Sequence, residues 1–566
     1  MDEVRIETRT VAEALLALLK ARGIDTLFAN AGTDFAPVIE GLVRGRRAGI
    51  PMPEPITATH ETVAVGMAHG IYLATGRPQA VMVHVNVGTA NALMGLINAA
   101  RDHVPIVFAS GRTPLTEAGL TGSRDLPIHW GQEMFDQAGM LREVVKWDYE
   151  LRLGEQLEPV VDRALQIALT PPRGPVYLSL PREVLAREQH GFAFAPVPVL
   201  QPPRPSVPDA GALDEAAALL ARAERPLVIA ARADAAAFGT LERLAGRFAL
   251  PVVEFWPTRV ALPTDHLLHG GFDVGPWLED ADVVLVLDSL VPWIPLRHAP
   301  ARGCRVLQLG PDPQFSEIPM RGFRVDIGLR GDVAPSLLGL ERALDTANDA
   351  GMVERRRKGL VERAAALRQS RLQVAEAGRT TPMSAAWISR CIDDAKGEDA
   401  VVVNELGVDP SVMTFRRAGS YFGHSLAGGL GWGVPAALGV QMADRDRLVI
   451  AAVGDGSYGF ANPVACHQMA EGLGLPLLTV VFNNGVWNAV RKSTLAVYPD
   501  GHASRANVMP LSSLEPAPDY ELIARASRAH AERVEDPDEL PHALARAIDV
   551  IRRERRQALL NVVCAI

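Results

Sequence analysis

The 566-residue chain has four cysteines, Cys304, Cys391, Cys466 and Cys564, far apart and without a CxxC pair. That spacing argues against a zinc site or a disulfide framework and fits a reducing compartment, so a cytoplasmic location is expected. No apolar run reaches the roughly 18 residues that a membrane span needs, and the charged start Met1-Asp2-Glu3-Val4-Arg5 leads into no signal-peptide core. A dense Lys/Arg stripe is also missing. The two densest basic runs, 355–358 and 552–556, lie in stretches interspersed with acids, which reads as solvated helix faces. With a net charge of −9, nucleic acid is not an expected partner. The strand-to-helix turn 230–234 lacks a GxGxxG pattern, which disfavours a nicotinamide-dependent dehydrogenase.

The length implies about three domains of ~150–200 residues. Residues 1–189 alternate short apolar strands (26–29, 80–85, 105–109, 175–180) with amphipathic helices such as 11–22. Alternation of this kind implies a mostly parallel sheet covered on both faces. The proline-rich stretch 196–205 can continue neither a helix nor a central strand and reads as a linker. Residues 208–345 repeat the strand–helix pattern at 227–231, 252–255, 283–288 and 305–309. A long charged helix, 353–375, then leads to a third unit, 380–566, with strands at 400–404, 448–453, 477–482 and 558–563. The expected fold is α/β, with three doubly wound parallel-sheet domains, the middle one Rossmann-like.

The chemistry begins at Gly454-Asp455-Gly456-Ser457, directly after the strand 448–453. Doubly wound sheets bind ligands at the carboxyl ends of their strands. Glycines let backbone approach phosphate, while Asp455 and Ser457 offer hard oxygen donors of the kind magnesium prefers. At the end of the next strand stand Asn483 and Asn484. Adjacent parallel strands would place Asp455 beside Asn484. Alone, Gly-Asp-Gly is an ordinary turn; coupled to a strand-terminal Asn-Asn it points to a metal–diphosphate site.

The stretch from Gly454-Asp455-Gly456 to Asn483-Asn484-Gly485-Val486 resembles the thiamine-diphosphate (ThDP) enzymes of the acetolactate synthase and benzoylformate decarboxylase group. The resemblance is strongest at the two ends of the chain. It implies a pyrimidine-binding N-terminal domain, a central domain and a diphosphate-binding C-terminal domain, with ThDP and Mg²⁺ as cofactors. Asp455, Asn484 and the Val486 carbonyl would bind the metal, and Gly454, Gly456, Ser457 and Asn483 would line the diphosphate.

By the same resemblance, Glu61 in Thr59-His60-Glu61-Thr62 is the glutamate that hydrogen-bonds the aminopyrimidine and makes the cofactor reactive. Without that context it would read as an acid favouring a helix N-terminus. The glycine-rich run Leu426-Ala427-Gly428-Gly429-Leu430-Gly431 matches the turn whose Gly428 carbonyl receives the aminopyrimidine and whose Leu430 wedges between the cofactor rings. Each domain carries half a site. The resemblance therefore implies a homodimer as the minimum and a homotetramer as the expected assembly. A flavin, bound by some members, is doubtful because Leu287-Asp288-Ser289-Leu290-Val291 replaces the expected strand end.

The substrate class implied is a small 2-oxo acid or aldehyde. His84, at the end of the strand 80–85, matches a catalytic histidine of benzoylformate decarboxylases, and Thr33 matches their pocket-facing serine. Both favour non-oxidative decarboxylation over acetolactate synthase-like carboligation. A counterpart for a second catalytic histidine is not placed, the segment 292–298 being the nearest. His424, just before the glycine run, reads as either an acid/base or a loop residue, while His103 and His467 fit structural positions. Trp487 could wall the pocket or serve packing. Loops such as 491–504 are expected to close the site, and a non-catalytic ThDP-binding protein is the remaining alternative.

Overall fold

The computed structural model describes residues 3–232, 234–347 and 349–566. Met1, Asp2 and Ala233, the last within the turn 230–234, lie outside the described residues. The chain divides into two compact units: residues 1–203, 425–446 and 459–475 form the first, and 204–424, 447–458 and 476–566 the second.

In the first unit β1 (Val4–Ile6) pairs antiparallel with β8 (Phe192–Phe194). The main sheet holds β2 (Thr26–Asn30), β3 (Glu54–Thr57), β4 (Ala80–Val83), β5 (Val107–Arg112), β6 (Asp148–Glu150) and β7 (Val176–Pro181) in the order β3-β2-β4-β5-β7-β6, all parallel. β4 reads Ala-Val-Met-Val and is buried along its length, as a strand with helices on both faces must be. It stops at Val83, two residues before the expected end. Val85 takes φ +29° and opens the helix Val85–Arg101, so His84 sits alone between strand and helix.

The helix Glu61–Thr75 is buried from Glu61 to Leu73. It packs on the helix Gly433–Ala443 of the same unit at backbone distance. A Cβ on Gly66 would overlap Pro435, one on Gly70 the Ala436 carbonyl, and one on Gly439 the Met67 carbonyl. Small residues at these crossings let the helices approach this closely, and the contact draws residues 425–446 into the first unit.

The second unit contains an 11-stranded sheet. Its strands are β9 (Pro226–Arg232), β10 (Val252–Arg259), β11 (Val283–Leu287), β12 (Arg305–Gly310), β13 (Ile327–Arg330), β14 (Val401–Glu405), β15 (Tyr421–Gly423), β16 (Val449–Gly454), β17 (Leu478–Asn483), β18 (His530–Val534) and β19 (Ala558–Val563). The order is β13-β12-β11-β9-β10-β15-β14-β16-β17-β19-β18. The middle and C-terminal strand sets thus meet edge to edge, antiparallel, at Arg259 opposite Phe422. β16 and β17 run parallel with Gly454 opposite Phe482, which brings their carboxyl ends side by side. The segment 491–504, expected as loop, lies mostly in the helices Asn488–Val497 and His502–Ala506, and neither buries a residue. Among the described residues no helix is long and apolar enough to cross a membrane.

Candidate active site

Asp455 is the first residue after β16 and is buried. Its Oδ2 accepts from the backbone N–H groups of Asn484 (3.0 Å) and Gly485 (2.7 Å), and its Oδ1 from Gly456 N–H (2.8 Å). Burial pushes its carboxyl above the usual carboxylate range, and those three N–H groups pull it back down. Asn484 turns its amide oxygen toward the same bend and accepts from Val486 N–H at 3.0 Å. The segment 511–515 pairs on the turn through the Gly485 carbonyl and the Trp487 N–H, leaving the Val486 carbonyl outside that ladder.

One carboxylate, one amide oxygen and one carbonyl suit magnesium, whose remaining positions are ordinarily filled by phosphate oxygens and water. Among the described residues no three His, Cys, Asp or Glu side chains gather as a metal cluster, so a cation here would depend on a polyanionic ligand for its remaining charge. The Trp487 ring lies over Gly456, where a Cβ would overlap it. Trp487 therefore packs on the Gly454–Gly456 turn. Ser457 is buried on the short helix after Asp455. Asn483 faces the opposite way, its amide donating to Asn561 Oδ1 at 3.1 Å, because successive residues of a strand point to opposite faces.

Glu61 opens its helix behind the N-cap His60, whose Nδ1 accepts from Thr62 N–H at 3.2 Å. The carboxylate is not a solvated helix-end acid: its side chain is 10% exposed, with Asn91 Nδ2 donating to Oε2 at 3.3 Å and Gly88 facing Oε1. In the same unit the glycine-rich turn is set by Asn98. Its amide donates to the Gly429 carbonyl (2.8 Å) while Gly429 N–H donates to its Oδ1 (3.1 Å). Gly428 (φ +69°) and Gly431 (φ +91°) need their left-handed conformations. Leu430 between them is half-buried. Asn98, buried on the helix Val85–Arg101, escaped the sequence reading, which offers no local cue to a partner so distant.

His84 and Thr33 stand in one side-chain cluster. His84 Nδ1 is 2.6 Å from Asp34 Oδ1, and its Nε2 lies 3.1 Å from Gln132 Nε2. Thr33 Oγ1 lies 3.2 Å from His129 Nε2. His129 Nδ1 accepts from the N–H groups of Asp125 and Leu126, which leaves its proton on Nε2, aimed at Thr33. Burial, aided by Arg182, holds the His129 pKa below the ordinary histidine value, against a smaller pull the other way from Asp125. Arg182 donates to the Thr33 carbonyl (3.3 Å), the Gly122 carbonyl (2.8 Å) and Asp125 Oδ1 (3.1 Å). A second histidine, His129, thus stands beside Thr33 in this cluster. It comes from the helix Ile128–Gly131, which ends at Gln132, so one turn supplies a partner to each predicted side chain. His298, in the segment 292–298, belongs to the second unit.

His424 also lies in the second unit, edge-on to Trp256 at 5.5 Å, and burial pushes its imidazole down to about 4. His467 is buried within the helix Pro463–Leu473, and His103 takes φ +56° just after the helix Val85–Arg101. At the carboxyl ends of β9 and β11, Arg321 donates to the carbonyls of Leu290 and Ser289 and to Gln308 Oε1, and its guanidinium covers Phe315. Arg232 reaches the same ring.

Family models described as the N-terminal and C-terminal TPP binding domains of thiamine pyrophosphate enzymes match residues 9–140 and 410–562. Over 516 residues the chain is 29% identical to benzoylformate decarboxylase of Pseudomonas aeruginosa, covering 85% of this chain and 87% of that protein. It is 26% identical over 571 residues to the acetolactate synthase large subunit of Mycobacterium tuberculosis, covering 96% and 95%. The crystal structure of benzoylformate decarboxylase from Polynucleobacter necessarius superposes with a TM-score of 0.78 over 99% of each chain at 20% identity, a likeness of fold.

Proposed function

The chain belongs to the thiamine pyrophosphate enzyme family, and from that premise we propose that it is a non-oxidative 2-oxo acid decarboxylase of the benzoylformate decarboxylase kind. The observation that carries the choice of reaction is the His84 cluster. A histidine held by a carboxylate, beside a hydroxyl that is itself held by a second histidine, is equipped for proton transfer. A pocket of small inert side chains would not be.

Thiamine diphosphate, when bound, supplies the carbon that adds to the substrate carbonyl and the electron sink that CO₂ loss requires. Glu61 would hold its aminopyrimidine, and Gly428 and Leu430 its ring end. Gly454, Gly456 and Ser457 would line the diphosphate, with Mg²⁺ on Asp455, Asn484 and the Val486 carbonyl. The Asn483 side chain, engaged with Asn561, contributes through its backbone at most. His84 moves a proton at Nε2, and the Thr33 hydroxyl orients the substrate carboxylate or carbonyl oxygen. His424, at about 4, is neutral at working pH and receives no proton-donor role. FAD is left out of the proposal because Leu287-Asp288-Ser289-Leu290-Val291 stands where the flavin-binding members have a different strand end.

The N-terminal (1–189), central (208–345) and C-terminal (380–566) divisions are proposed as the pyrimidine-binding, bridging and diphosphate-binding domains. A homodimer or homotetramer is supported by apolar side chains left open on the segment 113–136, among them Leu120, Trp130 and Phe135. The test incubates purified protein with ThDP and Mg²⁺ and a panel of 2-oxo acids that includes benzoylformate and pyruvate. CO₂ and ligated products are followed separately. Stoichiometric aldehyde and CO₂ are expected; ligated product as the main outcome would favour an acetolactate synthase-like carboligase, and no turnover across the panel would overturn the reading.

A further inference from the structure

Resting on the decarboxylase reading, in which His84 transfers a proton, we propose that Asp34 is the positioning residue that fixes His84 as its Nδ1–H tautomer and thereby makes Nε2 the proton-transfer atom. An ionised carboxylate can only accept a hydrogen bond. With Asp34 Oδ1 2.6 Å from His84 Nδ1, the shared proton belongs to the imidazole nitrogen. On the other side of the ring, the Gln132 amide nitrogen at 3.1 Å from Nε2 can only donate. Asp34 therefore demands one tautomer, with a lone pair on Nε2, and the Gln132 amide as it stands fits it.

The surroundings are shaped for this pair. A Cβ on Gly32 would overlap the His84 ring, and one on Gly111 would overlap the Asp34 carboxylate, so each glycine leaves the space that one member occupies. Asp34 Oδ2 also accepts from Val85 N–H at 3.5 Å. Val85 is the β-branched residue held at φ +29°, a conformation that costs free energy and persists only when neighbouring groups enforce it. Asp34 thus holds both the ring of His84 and the peptide that follows it. Its own side chain is 3% exposed, so water does not compete for the contact.

Gln132 completes the device. Its Oε1 is buried without a hydrogen-bond partner, an arrangement that calls for an explanation. Turning the amide by half a rotation would present that oxygen to Nε2 once His84 is protonated there. Gln132 can therefore match both protonation states of the ring, while Asp34 matches Nδ1–H in each. The tautomer is set by Asp34, and Gln132 follows.

The test is solid-state NMR on the full-length enzyme labelled with nitrogen-15 histidine, the His84 signals being assigned by their loss in His84→Phe. Wild type and Gln132→Met should both show Nδ1 protonated and Nε2 bare at alkaline pH. Asp34→Asn should lose that preference, and on whichever panel acid the wild type decarboxylates it should lower kcat about 10- to 100-fold while KM stays within about threefold. Asp34→Glu, which restores a carboxylate one methylene longer, should recover the tautomer in part and keeps the question open to measurement if Asp34→Asn does not fold. A wild-type ring protonated on Nε2, or an unchanged tautomer in folded Asp34→Asn, would overturn the assignment. If no acid in the panel turns over yet the tautomer responds to Asp34 as stated, the decarboxylase reading fails and the Asp34–His84 relation stands.

Discussion

Replacing Asn98 with Ala removes both hydrogen bonds that hold Gly429, the one from its amide to the carbonyl (2.8 Å) and the one its Oδ1 receives from the N–H (3.1 Å). Each bond contributes about 1 kcal/mol net, and a backbone group left buried without a partner costs about as much again. Solvent reaching the half-buried turn returns part of that, so the ordered turn should weaken by roughly 2 kcal/mol. A free-energy loss of about 2 kcal/mol lowers the ratio of ordered to disordered turn roughly 30-fold, so apparent ThDP affinity falls by up to about that factor. Titration of the cofactor-free protein with ThDP at fixed Mg²⁺, followed by calorimetry or Trp fluorescence, measures it directly. Asn98→Asp should be no better than Asn98→Ala. It keeps an acceptor for the Gly429 N–H but sets a carboxylate against the Gly429 carbonyl. Affinity within about threefold of wild type for both variants, less than 0.7 kcal/mol, would refute the claim that Asn98 sets the turn.

Glu61→Gln should leave ThDP affinity close to wild type and lower kcat by about 10²- to 10⁴-fold, the range of an acid–base contribution; a kcat within tenfold would remove Glu61 from its role. The four cysteines are buried, and burial holds Cys304 at about 11, Cys391 and Cys564 at about 12, and Cys466 higher still. A disulfide reagent at neutral pH should therefore find no fast-reacting thiol in the native protein and four after denaturation. For Asp455 the folded pKa is raised by burial, so its contribution to stability is fully present below the ordinary carboxylate range and is lost as pH rises through the folded value. On the proposed function, Mg²⁺ bound at Asp455 would offset that loss. The thermal shift given by ThDP with Mg²⁺ should thus be larger at pH 7 than at pH 4.5, and an equal shift at both would contradict it. Gly70→Ala forces a methyl onto the Ala436 carbonyl, an overpacking cost of about 1–3 kcal/mol; differential scanning calorimetry should show a transition lowered by several degrees.

The parts legible in the sequence are those whose chemistry is local. Asp455 and Asn484 end neighbouring parallel strands, so strand order alone brings them together, and the Asn484 N–H does reach Asp455 Oδ2. The same strand logic separates the two asparagines. Period-2 alternation sends Asn483 to Asn561 on the other face, a distinction already available in the pattern. Asp34, by contrast, meets His84 across 50 positions, and His129 meets Thr33 across 96. No spacing rule connects those pairs, because they depend on which strands neighbour each other. β2, β4 and β5 are adjacent in the sheet, and Asp34, His84 and Gln132 follow their respective carboxyl ends. Val85 shows the limit on boundaries: its β-branched side chain reads as strand, while the structure turns the chain at His84 and begins a helix.

The two kinds of site residue also differ in what they use. The Gly454–Gly456 turn and the Gly428–Gly431 turn pair backbone N–H and carbonyl groups with a few fixed side chains, Asp455, Asn484 and Asn98. The cluster around His84 works through side chains carried on segments after three strands, and such segments accept substitution without disturbing the sheet. On the proposed function, changes there would alter the reaction while leaving the glycine turns intact. That separation explains how chains 29% identical to a benzoylformate decarboxylase and 26% identical to an acetolactate synthase can share a cofactor, and why Asp34, Gln132 and His129, rather than Asp455, are the residues from which the reaction of this protein has to be argued.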